Sequence, residues 1–84
     1  INTVTIQSGD TVAVYGCGGV GLNVIQGAAL RGAGRIIAVD LNPTKLEMAR
    51  QFGATDLING KEVDAPSKIK ELTGGVGVDF AFEV

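Results

Sequence analysis

Short apolar runs alternate with longer stretches of helical spacing along this chain. Thr11-Val12-Ala13-Val14-Tyr15 is apolar at consecutive positions, which predicts a strand buried on both faces, as in a parallel sheet. Gly9-Asp10 before it reads as a turn. Further upstream, Thr3-Val4-Thr5-Ile6-Gln7 alternates and fits a short edge strand or an extended lead-in. From Gly19 the period changes. Val20, Val24, Ile25, Ala28 and Ala29 follow helical spacing over about three turns. That face is built of small residues, Gly27 among them, so the helix can pack close to a sheet. Gly32-Ala33-Gly34 supplies a stop.

The alternation repeats downstream. Arg35-Ile36-Ile37-Ala38-Val39-Asp40 predicts a second buried strand that ends in an acid. Asn42 fits an N-cap and Pro43 the first helical position. Leu46, Ala49 and Phe52 form the inward stripe of that helix, and Gly53 ends it. Thr55 to Asn59 reads as a third strand. Asp64 caps a short helix with Pro66 near its start and Ile69 and Leu72 inward. Thr73 to Gly77 is a turn, and Val78-Asp79-Phe80-Ala81-Phe82-Glu83-Val84 is a fourth strand. The order β-α-β-α-β-α-β with short links implies an α/β fold. Its sheet is parallel with right-handed crossovers, and the doubly wound strand order is 3-2-1-4.

Composition narrows the chemistry. The 84 residues are 45% apolar and 19% charged, which suits a folded domain and not a disordered one. No apolar run nears the roughly 18 residues needed to span a bilayer, and the N-terminal residues lack the pattern of a secretory signal. Nine acids against seven scattered bases argue against a nucleic-acid groove. With no His and the single Cys17, the chain holds no internal disulfide, no zinc site of the usual Cys and His kind and no His-dependent nucleophile. A lone thiol fits a cytoplasmic setting. A domain this small buries only about 60–65% of its unfolded surface, so a partner chain or a missing remainder is expected.

One motif carries chemistry. Gly16-Cys17-Gly18-Gly19-Val20-Gly21 lies between the first strand and the first helix. It matches G-x-G-x-x-G at Gly16, Gly18 and Gly21. Asp40 stands at the end of the second strand, about 20 residues on, the spacing of a dinucleotide-binding fingerprint. Gly16 permits the tight turn, Gly18 leaves room for a pyrophosphate against the backbone, and Gly21 lets the helix approach the sheet. The helix N-terminus offers N–H groups and partial positive charge to the phosphates. Asp40 can accept hydrogen bonds from both adenosine ribose hydroxyls and repels a 2′-phosphate, which favours NAD over NADP. The competing readings are a turn without a ligand and, for Asp40, a solvated acid or helix cap. Cys17 admits a redox reading, against the simpler one of a small side chain in a variable position. Tyr15 reads as packing, Met48 as surface or core, and Glu83 as an acid with no partner for acid–base work.

At these residues the chain resembles the coenzyme-binding, Rossmann-type domain of zinc-dependent medium-chain alcohol dehydrogenases. The likeness rests on Val12 through Leu22, on Arg35 through Asn42, on Lys45-Leu46 with Ala49, on Phe52-Gly53-Ala54-Thr55 and on Gly75 through Val84. The resemblance implies NAD as cofactor, with Gly16, Gly18, Gly19, Val20 and Gly21 at the dinucleotide, Asp40 and Lys45 at the adenosine ribose, and Val20 under the pyrophosphate and nicotinamide side. An exposed helix lysine is the plainer reading of Lys45. It also implies hydride transfer from an alcohol, or from a thiol adduct of formaldehyde, to NAD, helped by a zinc ion in the parent enzyme. No family zinc ligand can be matched in this chain. Residues 1–84 are therefore expected to be a half sheet, the adenine-binding part of an NAD domain. Such a part would bind ADP-ribose and be inactive alone.

Three alternatives stand beside this one. A nucleotide-binding module without chemistry is the first. A methyltransferase-like fold is the second, weakened by apolar Val14 and Tyr15 where that class carries an acid. The third is self-association as a homo-oligomer through the apolar edge Val78–Val84.

Overall fold

The computed structural model describes residues 6–84. Strand β1 runs Thr11–Tyr15, β2 Arg35–Asp40, β3 Asp56–Asn59 and β4 Phe80–Glu83. Helix α1 spans Gly19–Leu30, α2 Pro43–Phe52 and α3 Ala65–Leu72. The strands form one sheet in the order β3-β2-β1-β4, and each neighbouring pair is parallel. This is the predicted α/β, Rossmann-like arrangement. The expected strand or lead-in at Thr3–Gln7 falls mostly outside the described residues, and Ile6 and Gln7 have no regular structure.

The two faces of the sheet are covered differently. On one face Val12, Val14, Ile36 and Ala38 pack with Ile25 and Ala28 of α1 and Leu46 and Ala49 of α2. On the other, Ala13, Ile37, Val39 and Ile58 pack with Ala65 and Ile69 of α3. Alternate side chains of a strand point to opposite faces. The uninterrupted apolar runs of β1 and β2 therefore fill both layers, and Val12, Ala13, Val14 and Ile37 are fully buried. The change of face between α2 and α3 makes the sheet doubly wound.

Helix ends follow local chemistry. The Asn42 side chain accepts from the N–H groups of Thr44 and Lys45 at 2.8 and 3.3 Å, with Pro43 beginning the first turn. The Asp64 carboxylate accepts from the Ser67 N–H at 3.1 Å and from its hydroxyl at 2.7 Å. Gly53 leaves α2 with φ +126°. A Cβ there would stand 2.8 Å from the Ala29 Cβ, so the small residues predicted on α1 let two helices meet closely. Arg35 joins the strands to α3 by donating to the Leu72 carbonyl and pairing with Asp56 at 3.4 Å.

Three expectations need correction. The buried line of α1 is Gly21, Ile25 and Ala28. Val20 and Ala29, expected to be inward, are exposed because they lie at the two margins of that line. β3 begins at Asp56, since the Thr55 hydroxyl is engaged with the Ile36 N–H at 2.9 Å and its carbonyl at 3.2 Å. β4 begins at Phe80 and not at Val78. Asp79 bonds the Thr11 carbonyl through its N–H at 2.8 Å and the Thr11 N–H through its carboxylate at 2.8 Å, and ladder pairing starts one residue later. Phe80 and Phe82 pack inward while Ala81 and Glu83 face out.

Candidate functional site: a cleft at the carboxyl ends of the strands

Where β1 ends, the chain turns sharply. Gly16 has φ +98°, a conformation that side-chain-bearing residues avoid. Its N–H donates to the Val39 carbonyl at 2.8 Å. Three residues on, α1 begins, so near this turn that a Cβ on Gly21 would lie 1.8 Å from the Gly16 carbonyl oxygen. Gly18 and Gly19 are different. A Cβ at either meets nothing within 4 Å, so the fold itself does not demand a glycine there. Gly18 is the N-cap of α1 and supplies no side-chain bond, and no acid stands in the first turn.

Asp40 closes the opposite wall. Its Oδ2 accepts from the Cys17 N–H at 2.8 Å and its Oδ1 from the Asn42 N–H at 2.9 Å. Partial burial pushes this carboxyl up. The backbone N–H groups of Cys17, Asn42 and Leu41, with the Lys45 cation, outweigh that and hold it below its ordinary value. A carboxylate has about four acceptor sites, so two bonds leave capacity for an incoming hydroxyl. Lys45 is placed on the rim by the capped first turn of α2.

Gly16, Gly18, Gly19, Val20, Gly21, Asp40 and Lys45 line one open cleft of about 330 Å³. The structure thus brings together the seven residues expected at the cofactor. It adds Cys17 and Val84 to the lining. It also shows an adjoining notch of about 260 Å³ formed by Tyr15, Gly16, Val39, Asp40 and Leu41. Val20, Leu41 and Val84 are more than half exposed around these openings. The place of Leu41 directly after Asp40 was the available signal for its part, whereas nothing local marks Val84, which reaches the cleft through the β1–β4 pairing. The Cys17 thiol is buried. Desolvation first, and the Asp40 charge second, push it up to about 11, so it is a packed thiol and not a reactive one. Among the described residues, no group of three or more His, Cys, Asp or Glu side chains converges as a metal site, and no helix is long and apolar enough to cross a membrane.

The cleft lies outside the carboxyl ends of β1 and β4, where the crossovers change face, which is the ligand position of open α/β sheets. Fold and cleft define a doubly wound α/β protein of the Rossmann-like class. The Zinc-binding dehydrogenase family profile matches residues 19–84, and the chain belongs to that family. It is 57% identical over 84 residues to S-(hydroxymethyl)glutathione dehydrogenase of Synechocystis, covering 98% of this chain and 22% of that protein. It is 50% identical, with the same coverages, to alcohol dehydrogenase-like 6 of Arabidopsis thaliana. Among solved structures, benzyl alcohol dehydrogenase from Acinetobacter calcoaceticus superposes with a TM-score of 0.93 at 43% identity, over 98% of this chain and 22% of that one. An alcohol dehydrogenase zinc-binding domain protein from Burkholderia ambifaria gives 0.94 at 45%, again over 98% and 22%. The chain therefore spans about a fifth of the length of its relatives.

Proposed function

We propose that residues 1–84 form the adenine-side half of an NAD-binding domain. The carrying observation is the bare pair Gly18-Gly19, whose missing side chains serve no internal contact, set against the acid Asp40 across the cleft. In this reading the diphosphate rests on the turn Gly16 to Gly21 and on the uncapped first turn of α1, with Val20 beside it. The adenosine ribose meets Asp40 and Lys45. The flat adenine lies against the apolar notch by Leu41. Asp40, held ionised, disfavours the 2′-phosphate of NADP.

Within the whole protein, this half would serve hydride transfer to NAD from an alcohol or from a thiol–formaldehyde adduct. The names of the relatives support that assignment. Zinc chemistry belongs to residues outside this chain, since the donor set here does not fit a zinc ion. A lone buried thiol suits the cytoplasm. β4, which among the described residues has a strand partner on one side only, is proposed to pair with a second copy through Val78–Val84. Sedimentation that stays monomeric at high concentration would remove that last element.

Calorimetric titration tests the main reading. ADP-ribose and NAD should bind this chain with equal affinity, and NADP at least tenfold more weakly. Absence of ADP-ribose binding at millimolar concentration would overturn it.

A further inference from the structure

Both oxygens of the Asp40 carboxylate are already engaged before any ligand arrives, and by backbone groups from different elements. Oδ2 takes the N–H of Cys17, in the middle of the glycine turn, and Oδ1 takes that of Asn42, the N-cap of α2. Gly16 donates to the Val39 carbonyl at 2.8 Å and the Gly18 carbonyl accepts from the Leu22 N–H at 2.8 Å, the Cys17 sulfur approaches the Val39 carbonyl oxygen at 3.8 Å, and a Cβ at Gly18 or Gly19 would meet nothing within 4 Å. A glycine-rich segment loses much conformational freedom when ordered, so a charge-assisted bond at its centre has a large effect on its shape.

We propose that Asp40 is a positioning residue for the glycine turn, tying Cys17 to Asn42 so that the turn's free N–H groups are set for a diphosphate. This rests on the dinucleotide-binding reading and adds a task separate from recognising ribose. It also identifies the variant that exposes the task. In Asp40→Asn the side chain keeps its shape but offers one oxygen and one NH2 group. Whichever way the amide is turned, its NH2 faces either the Cys17 or the Asn42 N–H, and the tie is broken.

The ligand probe is 2′,3′-dideoxy-ADP, which keeps adenine and diphosphate and lacks both ribose hydroxyls. An acid that only reads hydroxyls predicts unchanged or tighter binding in Asp40→Asn, because a negative charge has left the neighbourhood of an anion. A tie predicts about tenfold weaker binding, the scale of one lost charge-assisted bond. Ile69→Ala, on the buried side of α3 against the far face of the sheet, controls for general destabilisation and should bind the probe as wild type does.

A second readout needs no ligand and no variant. Cys17 is the only cysteine in the chain, so 15N-cysteine labelling gives one amide signal. That signal should move as Asp40 is protonated in acid. Lys45 and the Cys17 thiol are the titratable neighbours of the carboxylate. An amide signal indifferent to Asp40, or an unchanged affinity of Asp40→Asn for the probe, overturns the proposal. A signal that follows Asp40 in a chain that binds no nucleotide keeps the tie and removes the dinucleotide reading.

Discussion

Helices α1 and α2 each begin at the carboxyl end of a central strand, yet their first turns are finished in opposite ways. At α2 the protein closes its own helix end: Asn42 takes the N–H groups of Thr44 and Lys45, and Pro43 removes one donor altogether. At α1 the corresponding position is Gly18, with no side-chain cap and no acid within the first turn. The first turn of a helix carries unsatisfied N–H groups that favour an anion. One end has been neutralised from within, and the other is left open beside a cleft. Local rules are obeyed where a helix needs only to be stable, and relaxed where its backbone is available to something outside.

That contrast can be broken from either side. The largest effect belongs to Gly21→Ala, which drives a methyl group into the Gly16 carbonyl. Chemical denaturation should show a loss of about 3 kcal/mol, and titration should show no ADP-ribose binding. Gly18→Asp makes α1 resemble α2. The side chain has room, so stability in urea should hold or rise by a few tenths of a kcal/mol, roughly the gap between glycine and the better caps. ADP-ribose affinity should nevertheless fall at least tenfold, about 1.4 kcal/mol, as an acid occupies the anion's place. A parallel loss of stability and affinity would show that the open end is not a binding feature.

Asn42→Ala makes α2 resemble α1. Removing that cap should cost about 1 kcal/mol in a thermal or urea melt. The smallest effect is at α3, where Asp64 accepts from the Ser67 hydroxyl and then from its N–H, and is held below the ordinary carboxylate value. A lowered folded-state pKa means the cap contributes fully above the unfolded value, about 3.9, and loses its contribution as pH falls through the folded one. The Tm difference between wild type and Asp64→Ala should therefore be present at neutral pH and vanish in acid.

Much of the fold was legible because its signals are local. Asn42-Pro43 and Asp64 mark helix starts by side-chain chemistry alone, and the apolar runs of β1 and β2 demand cover on both faces. The site residues were legible as a set because glycine spacing and a strand-end acid are tied to a backbone shape. What escaped depends on groups without a sequence signature. The bond from the Cys17 N–H to Asp40 is made by a main-chain donor that every non-proline residue carries. The late start of β4 depends on Asp79 meeting Thr11 from the far end of the chain, which no window of neighbouring residues contains. The exposure of Val20 was missed for a related reason. Apolar spacing gives the direction of a stripe but not its width, and this residue lies at the edge.

The close approach of Gly53 to Ala29 has a mechanical consequence. One wall of the cleft rides on α1 and the other on the start of α2, and at this contact the helices meet without a layer of large side chains between them. A tilt of either helix at this point is transmitted to the other. The glycine turn and Asp40 are thereby expected to share one cooperative opening unit, and hydrogen exchange should show the amides of α1 and α2 opening together.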